Sequence, residues 1–272
     1  MTNVYLVFED GSVDLTADPS IKITNISKNM PVPKNEYTSF ASSVGQRLVS
    51  HTLDAFNLTL AFDLKTQSRD DLILKETELR ELFFREPTYY FAYEQEPGKL
   101  YPVAVDNIAP TSKGFFMSHF VVTFKVYKGC AFSAASTLSN FSLDEEWQFS
   151  QGLVSKDFEY TFKRSKFTIF NAGDFTVDPR EHYLNIKVEG SSDGELTINN
   201  KTTKERFIYK PTLRSRTGDW LDLNGVYPKK NGVNCGIDTN HGLISLAPGI
   251  NKIEIQNANE IKTSWDFNFL YK

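Results

Sequence analysis

The sequence is poor in the residues on which most chemistry depends. It has two cysteines, Cys130 and Cys235, more than a hundred positions apart. That is too few for a disulfide framework and too far apart for a zinc motif, which needs close spacing and histidine partners. The four histidines, His51, His119, His182 and His241, show no His-x-x-x-His spacing and read as surface or turn residues. No apolar run reaches the roughly 18 residues of a membrane-spanning helix, so no membrane insertion is expected. The first residues, Met1-Thr2-Asn3-Val4, lack the basic and apolar regions of a signal peptide. The expectation is therefore a chain made in a cytosol with both thiols reduced. On that reading the Asn-x-Ser/Thr triplets at Asn25, Asn57, Asn140 and Asn200 are chance matches.

Nor does charge of one sign dominate. Lys and Arg number 30 against 34 Asp and Glu, for a net charge of −4. Such a balance does not suit a general nucleic-acid binder, which needs a basic surface to release counterions. Gly-x-Ser-x-Gly, Gly-x-x-x-x-Gly-Lys-Ser/Thr and Gly-x-Gly-x-x-Gly are all missing. The acidic pair Asp70-Asp71 is explained by a helix start, and Glu145-Glu146 by solvation. With no constellation to assign catalysis to, the chain is expected not to be an enzyme, and no catalytic, cofactor or metal residue is proposed.

What the chain does have is aromatic residues. They make up 14% of its 272 residues, with 22 Phe and 12 Tyr, while alanine is sparse. This composition favours strands over helices. Val4, Leu6 and Phe8 alternate ahead of a Glu9-Asp10-Gly11-Ser12 turn. Phe56, Leu58, Leu60, Phe62 and Leu64 occupy every second position of a half-buried strand. Ser68 then caps one helix, which carries Leu72, Leu79, Leu82 and Phe83 at helical spacing and ends before Pro87. Tyr89–Tyr93 and Tyr101–Val105 read as a strand pair, and Phe120, Val122, Phe124 and Val126 as a further strand. Residues 25–50 break any period with Pro31, Pro33 and a Ser/Thr cluster, and read as a long loop, a length that in compact domains is usually functional. Its apolar residues Met30, Val32, Tyr37 and Phe40 have no periodic place in a core, and Gln46 and Arg47 beside Gly45 are suited to fixing its return.

Ala131–Asn140 is rich in Ala, Ser and Thr and reads as a linker between residues 1–135 and 141–272. Short strands follow at Phe167–Phe170, Leu184–Val188, Leu196–Ile198, Phe207–Tyr209, Leu243–Leu246, Ile253–Ile255 and Trp265–Tyr271. Turn clusters separate them, the pattern of an antiparallel β-sandwich. A sugar-binding sandwich is the runner-up function. Of its candidate stacking platforms, Trp265 lies in the core row Trp265, Phe267, Phe269, Tyr271. Trp147 reads as packed at the domain junction. Trp220 alone, with Asp219, Asp222 and Asn224 nearby, reads as exposed. One such platform is too few, and no lectin activity is expected.

In order of features the chain resembles the distal tail protein (Dit) family of phages with long, non-contractile tails. The resemblance rests on the early strand pair, the Pro/Ser loop with Gly45-Gln46-Arg47, the Phe56–Leu64 strand, the helix Arg69–Phe84 and Leu100-Tyr101-Pro102-Val103. It continues in Trp147–Leu153, Phe170-Asn171-Ala172-Gly173, Val177-Asp178-Pro179 and Ile198-Asn199-Asn200. Its most specific stretch is Leu246-Ala247-Pro248-Gly249-Ile250-Asn251. The resemblance implies a mainly β chain: an N-terminal split β-barrel-like domain with one helix and a long belt loop, and a C-terminal galectin-like β-sandwich. It implies a homo-hexameric ring at the distal end of the tail, joining the tail tube protein to tail-associated and receptor-binding proteins. The location implied is the virion, after assembly in the bacterial host cytoplasm. Residues 25–50 correspond to the belt that embraces a neighbour, and no room remains for an inserted carbohydrate-binding module.

Overall fold

The structure is a computed structural model that describes residues 2–41, 44–139 and 159–272. Two compact units divide the chain, Met1–Ala131 and Phe132–Tyr271. The expected features at Asn140, Glu145-Glu146 and Trp147–Leu153 lie outside the described residues.

The first unit is built on an antiparallel sheet. Its strands are β1 (Val4–Phe8), β2 (Gly11–Asp14), β3 (Ile21–Lys28), β6 (Phe56–Lys65), β7 (Tyr89–Tyr93), β8 (Lys99–Gly114) and β9 (Met117–Val126), in the order β2-β1-β7-β8-β9-β6-β3. The alternation in β6 does what its period dictates: Phe56, Leu58, Leu60, Phe62 and Leu64 are all buried. The helix α1 spans Arg69–Phe83, and the Ser68 hydroxyl accepts from the Asp71 backbone N–H at 3.1 Å. Leu72, Leu79 and Phe83 face inward. The Phe83 ring meets Phe62 at 6.2 Å and Phe124 at 6.0 Å, joining the helix to the sheet through aromatic contacts. None of the sheets closes into a barrel.

Residues 25–50 are not the long irregular loop expected of them: residues 25–28 finish β3, and most of the rest belongs to residues 33–53. Residues 33–53 form a separate two-stranded hairpin, β4 (Pro33–Thr38) against β5 (Arg47–Leu53), paired only with each other. Period 2 is hidden there because both faces are wet, so no apolar alternation marks the strands. Pro33 is tolerated because it opens an edge strand.

The second unit packs two antiparallel sheets as a sandwich. The remaining strands are β10 (Ala131–Ser133), β11 (Thr161–Phe162), β12 (Lys166–Asn171), β13 (Leu184–Ser191), β14 (Leu196–Asn200), β15 (Glu205–Tyr209), β16 (Trp220–Asn224), β17 (Tyr227–Lys230), β18 (Val233–Asn234), β19 (Gly249–Gln256), β20 (Asn259–Phe267) and β21 (Leu270–Tyr271). One sheet runs β11-β20-β13-β16-β17-β18 and the other β12-β19-β14-β15. Phe167 of the second meets Trp265 of the first at 6.0 Å across the core, and Trp265 is wholly buried.

Three expectations need correction. Leu243–Leu246 is not a strand; only Leu246 forms a bridge, to Val177, because the segment is held by side-chain bonds instead. Trp220, read as the end of the turn-like stretch Thr217-Gly218-Asp219-Trp220, instead opens the strand β16, which the sequence reading did not include, and β17 and β18 follow it. The Ala131–Asn140 stretch is no free linker through residue 139. Ser133 N–H donates to the Phe269 carbonyl at 2.9 Å, and the Thr137 hydroxyl to that of Trp265 at 2.7 Å, so these small polar residues bind the last strands.

Candidate functional site

Two groups of sequence-selected residues can be followed into the structure. The first is the hairpin arm. Met30, Val32, Tyr37, Phe40, Val44, Leu48 and Val49 are all at least half exposed, from 50% for Leu48 to 86% for Met30 and beyond for Val44. Among the described residues 21 large apolar side chains are exposed, so one third of them sit in twenty consecutive positions. The register puts Asn35, Tyr37, Leu48 and His51 on one face of the arm, with Lys34, Glu36, Ser50 and Arg47 on the other. Asn35 binds two of its face-mates, donating to the Tyr37 hydroxyl at 3.1 Å and lying with its Oδ1 2.6 Å from His51 Nδ1. Gln46 donates to the Ser39 hydroxyl at 3.4 Å, a weak tie across the turn. Arg47 opens β5 opposite Thr38 with its side chain in solvent.

The base of the arm is fixed where its tip is not. Lys28 ends β3, one residue before the arm leaves the sheet. Its ammonium bonds Glu96 at 2.9 Å and the Tyr101 hydroxyl at 2.8 Å. Glu96 also accepts hydrogen bonds from the Tyr93 and Tyr101 hydroxyls. Burial by itself would raise the Glu96 carboxyl. The bonds from Tyr101, Tyr93 and Lys28 outweigh it and hold the group at about 2, below the usual carboxylate range. Burial, with bonding to Glu96, pushes both tyrosines up. Asn29 N–H donates to the Asn57 carbonyl and Asp54 N–H to that of Val32, both at 2.9 Å. Where the arm returns, Gly129 passes so close that a Cβ there would lie 3.2 Å from the Asp54 carbonyl oxygen, and its φ of +67° suits glycine. Nothing in the sequence pattern singled out Lys28 or Glu96; they meet across 68 positions.

The second group is the family-like asparagine motifs. Asn251 is wholly buried. Its Nδ2 donates to the Ala247 and Gly249 carbonyls at 2.7 and 3.2 Å, and its Oδ1 accepts from Ala247 N–H at 2.9 Å and from Asn200 Nδ2 at 3.2 Å. Asn200, equally buried, also donates to the Ser245 carbonyl at 2.8 Å. Asn171 donates to the Phe175 and Leu246 carbonyls at 2.9 and 3.0 Å. The Leu-x-Pro-Gly-x-Asn stretch thus carries an architectural clamp: its Asn251, with Asn200 and Asn171 outside the stretch, bonds the backbone of Ser245, Leu246, Ala247 and Gly249.

The remaining candidates do not converge. Trp220 is half-buried, and the Lys187 ammonium stands 5.3 Å over its ring. Asp219 is spent on Lys230 at 3.0 Å and Asn231 at 2.9 Å. His119 pairs with Asp63 at 2.6 Å, which Lys113 also holds at 2.8 Å, and these bonds keep the Asp63 carboxyl low. Among the described residues, no three His, Cys, Asp or Glu side chains are grouped to hold a metal ion. Cys130 and Cys235 are buried free thiols.

With this geometry in hand, comparison with known proteins is specific. Residues 10–126 match the family model of the phage tail protein RIFT-related domain, a match that ends on the last residue of β9. Residues 10–126 are thus similar to a phage tail domain. Its whole fold is similar to the crystal structure of the Dit protein of phage SPP1, described as a paradigm of the hub adsorption apparatus in phages infecting Gram-positive bacteria. That match has a TM-score of 0.69 at 11% identity and covers 99% of both chains. A chain of the phage P2 baseplate in its activated conformation with Ca aligns at a TM-score of 0.46 and 7% identity, over 100% of this chain and 98% of that one. Comparison with the curated protein sequences returned no match.

Proposed function

We propose that this chain is a structural component of the distal phage tail, assembling as a homo-hexameric ring through its arm and joining the tail tube to the tail-associated and receptor-binding proteins. On this reading it works in the virion, after assembly in the host cytoplasm, and catalyses nothing. One observation carries the proposal: a hairpin with seven exposed apolar side chains leaves a sheet that otherwise buries its apolar face. An isolated two-stranded hairpin is at best marginally stable in water. Burying even Tyr37 and Phe40 against a neighbour is worth about 3–6 kcal/mol before entropic costs. A contact made by an arm on one side and received on another is head-to-tail, and such contacts close into rings when the rotation allows. The Dit-like fold and the tail domain point the same way.

The test is to replace residues 30–52 with a short Gly/Ser connection and measure mass by light scattering. Both strands must go, since removing one leaves the other unpaired. The intact chain should reach about 186 kDa, six times 31.0 kDa, at high concentration or with its tail partners. The variant should stay monomeric and keep its thermal transition. If it still assembles, the arm does not hold the ring.

The sugar-binding alternative is not favoured, because its one platform, Trp220, is half-buried and already has the Lys187 ammonium 5.3 Å over its ring.

A further inference from the structure

The geometry points to the outer face of α1, with the groove beside it, as the surface that receives the arm of a second copy. This rests on the arm reading above and names the acceptor that reading leaves open. A surface helix keeps its apolar residues on one stripe. In α1 the inward stripe is Leu72, Leu79 and Phe83, yet Ile73 and Leu74 are 53% and 64% exposed, as is Phe84 just past its end at 59%. Ile73, Thr77, Arg80 and Phe84 follow one another at steps of three and four, so the outer face has its own partly apolar stripe. That stripe ends at a groove of about 310 Å³ between the helix and β8, lined among others by Phe84, Ile108 and Pro110.

Three features fit this surface to the arm. The first is length: α1 has 15 residues, or about 22 Å at 1.5 Å each, and β4 and β5 have 6 and 7, about 20–23 Å at roughly 3.3 Å each. The second is area. Seven side chains at least half exposed offer on the order of 500–700 Å² of mainly apolar surface, close to the ~800 Å² per partner of a specific interface and at the upper end of what monomers leave open. The third is charge. The groove rim carries Arg80 and Asp106, and the arm carries Lys34, Arg47 and Glu36, so both surfaces are of mixed sign and neither repels the other as a whole. The chain's own arm does not cover this face, since both remain exposed.

The experiment uses the full chain. Tyr37→Cys and Leu74→Cys are made singly and together; both sites are exposed, whereas Cys130 and Cys235 are buried. With a short bis-maleimide, a mixture of the two single variants should give a linked pair joining position 37 of one copy to position 74 of another. The double variant should give a ladder of linked chains. No 37-to-74 product up to about 1 mM chain overturns the inference. In parallel, Phe84→Glu should raise the concentration for half-assembly at least tenfold. If removing the arm abolishes assembly while Phe84→Glu leaves it unchanged, the acceptor is wrong and the arm reading stands. If removing the arm changes nothing, both fall.

Discussion

The Asn251 clamp gives a sharp test of whether the family-like motif is architectural. In Asn251→Ala four side-chain hydrogen bonds disappear from a wholly buried site. Ala247 loses both its N–H partner and a carbonyl partner, Gly249 loses a carbonyl partner, and Asn200 Nδ2 keeps its bond to Ser245 while its Oδ1 still accepts from Thr202 N–H. A buried polar group left unmatched costs about 1–3 kcal/mol. Ala247 and Gly249 are part-exposed, so water can recover some of this, and the net loss should be about 2–4 kcal/mol. The readout is favourable, because the three tryptophans, Trp147, Trp220 and Trp265, all follow residue 131. Fluorescence during urea unfolding therefore reports the second unit without the first. With a slope of about 2 kcal/mol/M, the midpoint should fall by roughly 1–2 M at unchanged slope. Asn251→Asp should cost at least as much, since it cannot donate and buries a charge. A fall below about 0.3 M for both would mean that the loop holds itself, and the clamp argument would be refuted.

Other outcomes follow from the same structure. Gly173→Ala would put a Cβ 2.7 Å from the Leu270 backbone, so it should lower the same urea midpoint by about 1 M or more, equivalent to at least ~2 kcal/mol. Glu96 is held at about 2 in the folded chain against an ordinary 4.5, so its contribution is complete above pH 4.5 and is lost as pH falls toward 2; hydrogen exchange at residues 28–30 should rise in that window, and Glu96→Gln should flatten the rise. Burial lifts the Cys130 thiol to about 11 and raises Cys235, so a thiol reagent at pH 8 should react slowly with native protein and count two thiols after denaturation without reductant. We propose residues 132–272 as the second folding unit. That fragment should melt several degrees above one starting at residue 141, which lacks the Ser133 and Thr137 bonds, and equal melting points would place the boundary later.

Sequence alone determined the elements whose side chains meet one wet and one dry face. Phe56–Leu64 alternates because its strand is half-buried, Ser68 with Leu72, Leu79 and Phe83 spells a capped helix, and the Trp265–Tyr271 row is apolar because it lies inside the sandwich. The asparagine motifs were equally readable, though not what they do. The tertiary structure decided the rest. The arm left no period because neither face is buried within the chain, so its strands looked like a loop. Trp220 could not be judged from its neighbours because Lys187, which covers it, lies on another strand. Lys28 and Glu96 carried no signal at all, since an ion pair between distant positions exists only once the sheet brings them together. Local periodicity records which face of an element is dry, whereas contacts between elements depend on topology, which no window of sequence contains.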